Sequence, residues 1–505
     1  MTGTAERENW SFRLIAEESL CVIIPTYNNA ATVGDVIVRT SRYVRNIIVV
    51  NDGSTDSTDE ILHGLESSLS ITVITLPANK GKGRALVTGF ETALAMGFRY
   101  AVTIDSDGQH YPEDIPLLIA AEERNIDSII VGSRNLEGKE ISGGSLFANK
   151  FSNFWLCVQT GRSLPDTQTG FRLYPLHKLR GMHWITSRYE AELELIVYAA
   201  WHGVKVVPVE VDVYYPPREE RVSHFRPFRD FARISILNTL LCIGALLYGY
   251  PMMLLRFLRA FVYSLYSLLV FVISSFALTL WALISFNISR KNIEDKKLKL
   301  HRIIWRFAKF ASFHIPGVKC TYDNPQGETF EKPSLIICNH QSHLDLMFTM
   351  MLTPKMVILT NDWVWNNPIY SRIIRYADFL PVSYGMENTL PRLEELVARG
   401  YSILVFPEGT RSEDCSVLHF QKGAFYLAEQ LKLDIMPVFL YGSGLVLPKK
   451  SLLLKKGKVC IVTGKRISQE DRSFGTTFRS RARAFEKLYA ERLEQLTYEH
   501  INGVR

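Results

Sequence analysis

The chain has 505 residues, of which 47% are hydrophobic and 22% charged, and a formal net charge of +7. That is room for two or three domains and too little positive charge to suggest a nucleic-acid partner. Seven scattered cysteines with no C-x-x-C pair argue against zinc or a disulfide framework and for a reducing compartment. The opening M-T-G-T-A-E-R-E-N-W has no apolar run of signal-peptide type, so the chain is expected to start in the cytosol.

Residues 20–215 alternate short β-branched runs with helical patterns. L-C-V-I-I-P (20–25), N-I-I-V-V-N (46–51), I-T-V-I-T (71–75), Y-A-V-T-I-D (100–105) and S-I-I-V-G (128–132) are predicted strands, and G-R-A-L-V-T-G-F-E-T-A-L-A (83–95) is a predicted helix. The alternation predicts an α/β layer on a parallel sheet. Polar residues gather just after the strands, at Tyr27 to Asn29, Asn51 to Asp56 and Asp105 to His110. That is the carboxyl edge, where open α/β sheets bind ligands.

Asp105-Ser106-Asp107 puts two carboxylates at a strand exit, where they can share a hard cation. Mg2+ and Mn2+ take oxygen ligands and commonly bridge phosphates. Gln109 offers a third oxygen. D-x-D alone is often a solvated turn, and its company gives it weight. Asp52 follows the second strand, where a carboxylate can hold a ribose or base edge. Asn79-Lys80-Gly81-Lys82-Gly83-Arg84 follows the third, a glycine-rich basic turn suited to phosphates, though not G-x-G-x-x-G.

Together I-I-P-T-Y-N-N (23–29), V-V-N-D-G-S-T-D-S-T (49–58), N-K-G-K-G-R-A (79–85), I-D-S-D-G-Q-H-Y-P-E-D-I (104–115), G-S-R (132–134), D-T-Q-T-G-F-R-L-Y (166–174) and R-V-S-H-F (221–225) resemble the inverting family-two glycosyltransferases. Within them they resemble the polyprenyl-phosphate sugar transferases (dolichyl-phosphate mannose synthase type). The resemblance implies a Rossmann-like GT-A domain over residues 1–231 and a nucleotide-sugar donor. Asp52 would lie on the nucleoside, with Pro25, Tyr27, Lys82 and Arg84 also substrate-binding. Mg2+ or Mn2+ would be held by Asp105, Asp107 and Gln109, and Arg134 and Arg221 would lie near the acceptor. A hydroxyl acceptor needs a general base, for which Asp166, Glu190 and Glu192 are candidates; an anionic phosphate acceptor does not. Plain surface or helix carboxylates would look the same, so a sugar-phosphate lipid and an ordinary glycoside both stay open as products.

Residues 232–290 change character. Ile234 to Leu255 is apolar but interrupted by Gly249-Tyr250-Pro251, Arg256 to Arg259 follow, and Ala260 to Phe286 carry no charge. About 20 apolar residues span a bilayer, so the second run is an expected transmembrane helix. The first is ambiguous between a span and an interfacial helix. Basic flanks at Arg226 to Arg233 and Arg290 to Arg302 suit an anionic membrane face.

Residues 291–505 read as a second α/β domain. S-L-I-I-C (334–338), K-M-V-I-L-T (355–360), Y-S-I-L-V-F (401–406), I-M-P-V-F-L (435–440) and V-C-I-V-T-G (459–464) are predicted strands. Residues 388–400 are a predicted helix stopped by Gly400, and 478–498 a charged amphipathic one. C-N-H-Q-S-H-L-D (338–345) lies between a strand and an apolar helical run. On one helix, His340 and Asp345 would stand about 500° apart. His340 is therefore expected on the turn and Asp345 in the first helical turn, where the carboxylate can hold the imidazole as a general-base pair. His343 invites a metal reading, but no further ligand cluster backs it, so it is taken as structural or a side wall.

N-H-x-x-x-x-D with F-P-E-G-T-R-S (406–412) resembles the glycerolipid (lysophosphatidate-type) acyltransferases, and Lys422-Gly423-Ala424 and the proline of I-M-P-V fall where that family has its later motifs. The resemblance implies that His340 deprotonates an acceptor hydroxyl, Asp345 orients it, and acyl-CoA or acyl carrier protein donates the acyl group. Glu408 and Arg411 would contact the acceptor, with Gly409 and Thr410 also substrate-binding. The family's second motif carries an arginine for an acceptor phosphate; here F-L-P-V-S-Y-G (379–385) has none, which favours a phosphate-free acceptor.

Both donors are cytosolic, so both domains are expected at the cytoplasmic face of the cell membrane. The apolar block is then expected to form a hairpin with Arg256 to Arg259 at its far side, or an embedded, non-crossing block; a single span is rejected. The expected function is a bifunctional membrane enzyme that glycosylates and acylates a lipid or lipid-linked acceptor. The alternatives are a polyprenyl-phosphate sugar transferase fused to a lysophospholipid acyltransferase acting in separate steps, and a lipid-binding scaffold with one inactive domain.

Overall fold

The computed structural model describes residues 17–134, 143–182, 186–188, 190–214, 227–288, 292–367 and 371–501. The chain divides into two compact units, Met1–Arg256 with Tyr498–Arg505, and Phe257–Thr497.

The first unit holds β1 (Leu20–Thr26), β2 (Ile47–Asn51), β3 (Ile71–Thr75), β4 (Tyr100–Thr103), β5 (Ile129–Arg134), β6 (Arg172–Pro175) and β7 (Val206–Val211) in the order β3-β2-β1-β4-β6-β5-β7. The β-branched side chains of β1 and β2 are buried on both faces, which is why these strands read as unbroken apolar runs. The sheet is mixed rather than parallel, because β6 runs antiparallel to β4 and β5. Sequence reading missed β6: four residues, one of them the buried Arg172, make no apolar pattern. Its direction places the site. Thr103, at the end of β4, pairs with Arg172, at the start of β6, so D-T-Q-T-G (166–170) arrives beside Asp105.

The second unit holds β8 (Val318–Asp323), β9 (Ser334–Cys338), β10 (Met356–Thr360), β11 (Leu380–Pro381), β12 (Ser402–Val405), β13 (Asp434–Tyr441) and β14 (Gly457–Thr463) in the order β11-β10-β12-β9-β13-β14-β8. Among the pairings of these strands, β13–β14 alone is antiparallel. β12 lies beside β9 with Val405 opposite Ile337, so the turns following these strands leave the sheet side by side. The helix Met386–Ala398 ends at Gly400, whose φ of +86° is the left-handed conformation of a helix stop. The helix Phe478–Ile501 buries Phe485 and Tyr489, and the Tyr489 hydroxyl donates to the Ile337 carbonyl at 2.5 Å.

Residues Ala232–Ile288 form one helical run of 57 residues. The expected hairpin is therefore corrected: Arg256 to Arg259 lie inside the helix Tyr250–Ile288, not at a turn. Gly249-Tyr250-Pro251 does not break the run either. A wide π turn, Ala245–Gly249, absorbs the hydrogen bond that Pro251 cannot make. The Arg256 guanidinium lies against Gly203, where a side chain would collide with it. Farther on, Ser275 and Ala282 are buried, and Leu278, Trp281 and Phe286 pack on the core of the second unit.

Two candidate active sites

In the first unit, residues from four segments meet at the carboxyl end of β4. The Lys82 ammonium, in the first turn of the helix Lys82–Ala95, lies 2.6 Å from Asp105 and 3.0 Å from Glu192. Burial pulls the Lys82 ammonium down, but the two carboxylates outweigh it and hold it above the usual lysine range. Burial likewise raises Asp105, and Lys82 outweighs it, so Asp105 stays ionised. Gly170 is required here, since a Cβ would sit 2.5 Å from both the Asp105 carboxylate and the Lys82 ammonium. Asp107 accepts from the Gln109 N–H at 3.0 Å, and burial, then the neighbouring Asp105, push its carboxyl up to about 6.

Two adjacent carboxylates that repel each other suit a divalent cation. Among the described residues no group of three or more His, Cys, Asp or Glu side chains forms a metal cluster. A cation here would rely on Asp105, Asp107, the Gln109 amide and phosphate oxygens.

Asp52 accepts from the N–H groups of Lys80 (2.8 Å) and Gly81 (2.7 Å), so it shapes the glycine-rich turn directly. Pro25 is buried in β1 opposite Val50, and Tyr27 follows half-buried. Arg84 has an exposed side chain, and its N–H donates to the Ser187 carbonyl at 3.0 Å. Asp166 is fully buried and bidentate with Arg134, at 2.6 and 3.0 Å. Burial raises its carboxyl, but Arg134 outweighs that and keeps it low, which makes Asp166 a poor base and a good anchor for Arg134. Glu192 keeps one buried carboxylate oxygen without a hydrogen-bond partner. Arg221 lies outside the described residues.

Sequence reasoning missed Arg172. Fully buried, it donates to the carbonyls of Thr167, Thr169 and Glu192 at 2.7 to 2.9 Å and so ties D-T-Q-T-G to the helix carrying Glu192. An arginine inside the apolar run F-R-L-Y was the available signal. A cavity of about 340 Å³ opens nearby, lined by Arg188, Glu190, Arg233, Ile236 and Leu240. It adjoins the glycine-rich turn, for a Cβ on Gly81 would meet the Ser187 carbonyl at 2.6 Å.

In the second unit, His340 stands on the turn after β9 and Asp345 opens the helix Asp345–Met350, as expected. The His340 Nδ1 lies 2.9 Å from Asp345 Oδ2, which also accepts from the N–H groups of Gln341 (2.6 Å) and Ser342 (2.7 Å). With Nδ1 donating to the carboxylate, Nε2 is left as the basic nitrogen. The imidazole stacks on Phe406 with ring centres 4.4 Å apart, so the F-P-E-G-T-R-S turn forms one wall of the site.

Glu408 faces inward. Its oxygens accept from the His340 N–H (2.9 Å) and the Leu418 N–H (3.2 Å), and burial raises its carboxyl to about 7. Its place is therefore to fix His340 rather than to touch an acceptor. Gly409 takes φ +68°, Thr410 is exposed, and Arg411 keeps one buried guanidinium nitrogen without a hydrogen-bond partner. The His343 imidazole is held neutral by burial, then by Arg411 and His340. At the second motif, the Ser383 hydroxyl bonds to the Asp362 carboxylate.

The glycosyl transferase family 2 model matches residues 21–174, and the acyltransferase model matches residues 319–441. The polyprenol monophosphomannose synthase of Mycolicibacterium smegmatis is 30% identical over 218 residues, 40% of this chain and 79% of that one. The UDP-N-acetylglucosamine–dolichyl-phosphate N-acetylglucosaminyltransferase of Methanococcus voltae is 29% identical, over 40% of this chain and 88% of that one. A 1-acyl-sn-glycerol-3-phosphate acyltransferase of Chlamydomonas reinhardtii is 31% identical over 32% of this chain; the match spans 49% of that relative, about half its length. The chain belongs to glycosyl transferase family 2 and joins that domain to an acyltransferase domain.

Proposed function

We propose that the protein is a bifunctional membrane enzyme that glycosylates and acylates a lipid or lipid-linked acceptor in envelope glycolipid synthesis, at the cytoplasmic face of the cell membrane. The observation that carries this reading is that both chemical centres are intact in one chain. Asp105 and Asp107 stand together at one, and His340 and Asp345 are bonded at 2.9 Å at the other.

At the first centre the donor is a nucleotide-sugar, with Asp52, Pro25 and Tyr27 toward the nucleoside and Lys82 and Arg84 toward the phosphates. Mg2+ or Mn2+, held by Asp105, Asp107 and Gln109, would stabilise the leaving diphosphate. Transfer is a single inverting displacement in which an acceptor oxygen attacks the sugar. Arg134, fixed by Asp166, and Arg221 orient the acceptor. Glu192 is the base candidate for a hydroxyl acceptor, since it has a free buried oxygen beside Lys82. The cavity bounded by Arg188 and Arg233 and walled by Ile236 and Leu240 suits an acceptor with an apolar chain and an anionic head.

At the second centre His340 Nε2 takes the proton of an acceptor hydroxyl. The oxygen attacks the thioester carbonyl of acyl-CoA or acyl carrier protein, and the thiol leaves with that proton. Asp345 stabilises the imidazolium, and Arg411, with Gly409 and Thr410, lines the substrate side. A phosphate-free acceptor is supported by the second motif, where Ser383 and an acidic partner, Asp362, stand in place of a cation.

The test is lipid mass spectrometry of a strain lacking the gene, with His340→Ala and Asp107→Ala variants restored separately. The first variant is expected to lose the acyl mass and the second the sugar mass. If neither changes any product, the protein is a scaffold. Normal turnover of lysophosphatidate in an acylation assay would sink the phosphate-free acceptor.

A further inference from the structure

The turns that follow β10 and β11 carry no group that the His340 chemistry uses, yet the sheet aligns them with it. β9, β12, β10 and β11 are neighbours in that order and all run the same way. Ile336, Leu404 and Ile358 stand side by side on the first three, and Leu359, one residue on, stands beside Leu380 on β11. Four residues beyond that row, His340, Glu408, Asp362 and Ser383 leave the sheet at one height along its carboxyl edge. Neighbouring strands lie about 4.8 Å apart, so Asp362 and Ser383 follow strands roughly 10 and 14 Å from the one that leads to His340.

The far end of this row is both braced and exposed. The Asn361 side chain caps the short helix Asp362–Trp365 by accepting from the Val364 N–H at 3.0 Å. The Ser383 hydroxyl bonds to the Asp362 carboxylate and joins the two turns, and both residues are exposed. The Tyr384 ring is 51% exposed and meets Trp365 in a T-shaped contact, ring centres 5.8 Å apart, which sets its orientation. The Arg375 guanidinium lies over the Trp365 ring at 5.1 Å, so its charge is engaged on the indole. A carboxylate, a hydroxyl and an exposed aromatic ring thus stand on adjoining residues. A sugar offers hydroxyl donors that a carboxylate accepts and a C–H face that lies on an aromatic ring. A phosphate would meet the Asp362 charge instead.

We propose that Asp362, Ser383 and Tyr384, braced by Trp365, form a headgroup subsite of the acyl centre that takes an uncharged sugar, so that the acceptor is glycosylated before it is acylated. The sugar lies across the F-P-E-G-T-R-S turn, and one hydroxyl of the same glycolipid reaches His340. His340 Nε2 takes the proton of that hydroxyl, the oxygen–acyl bond forms as the thioester C–S bond breaks, and the proton leaves on the thiol. The reaction that must supply this acceptor is a sugar transfer to a lipid, which is the chemistry read in the first unit. The inference rests on the acyl-transfer reading of the His340 centre.

The test is acyl transfer by the full chain from acyl-CoA to acceptors of equal chain length: a monoacylglycerol, an alkyl glucoside, an alkyl mannoside and lysophosphatidate. At least one alkyl hexoside is expected to exceed the monoacylglycerol in kcat/KM by about tenfold or more, through KM. Asp362→Ala with Tyr384→Ala should cut that ratio by about tenfold, whereas Tyr384→Phe, which keeps the ring, should preserve it. Both acceptors are read on one preparation, so the ratio does not depend on how much of a variant folds. Hexosides used no better than the monoacylglycerol, or a preference that survives the double substitution, overturns the proposal. A preference for lysophosphatidate that Arg375→Ala abolishes also overturns it, and assigns the platform to a phosphate. Acyl transfer that survives His340→Ala overturns the acyl-centre reading itself, and the proposal with it.

Discussion

The two centres hold their carboxylates differently. At the sugar site Asp105 and Glu192 share Lys82 and Asp166 grips Arg134, while Asp52 and Asp107 accept from backbone N–H groups. At the acyl site the acids are held by main-chain donors. Asp345 accepts from two backbone N–H groups besides the imidazole, and Glu408 from two more. A lysine on a flexible stem can swing aside when a cation or a diphosphate arrives. A backbone amide in a turn cannot. Lys82 therefore gives the first site one cation that can move on loading, whereas the acids of the second are fixed by the turns that carry them.

That contrast can be broken, and the sharpest blow falls on the base. His340→Ala is expected to lower acyl transfer by about 10³- to 10⁴-fold and to leave sugar transfer unchanged, as read by separate assays on one preparation. Next come metal removal and Asp107→Asn, each expected to cut sugar transfer by about 10²- to 10³-fold while acyl transfer continues. A chelator that stopped both reactions equally would erase the difference between the sites.

The third probe is stability against pH. Glu408 binds its proton more tightly when folded, with a pKa of about 7 against an ordinary 4.5. Its contribution is complete below about 4.5, declines as pH rises to about 7, and is flat above. Glu408→Gln should flatten that decline, which totals on the order of 3 kcal/mol across the window, in denaturant unfolding of the second unit's signal. An unchanged slope would mean that the backbone donors already keep Glu408 ionised. The smallest effect concerns the acceptor: Asp362→Asn with Ser383→Arg is expected to raise lysophosphatidate turnover by about tenfold, since a lone acid gives way to a phosphate-binding cation.

Much of the molecule was legible in its sequence. The ten expected strands all form, because β-branched runs, most of them buried on both faces, leave a strong local pattern. β6, β7, β8 and β11 escaped notice: β6 carries a buried arginine, β7 and β8 are half-exposed, and β11 has only two residues. The His340–Asp345 pair was legible because both ends lie within six residues at a strand-to-helix turn. The hairpin failed because charge at Arg256 to Arg259 was read as a turn, whereas arginines continue a helix readily.

By itself the sequence determined two α/β units, the carboxyl-edge location of both sites, and the residue types their chemistry needs. Tertiary structure decided the partners. Asp166 anchors Arg134, Glu408 supports His340 across 68 residues of chain, and antiparallel β6 carries Gly170 to Asp105. Periodicity reports on neighbours a few residues apart. Which distant side chains meet depends on strand order and register, and these are set only when the sheets assemble.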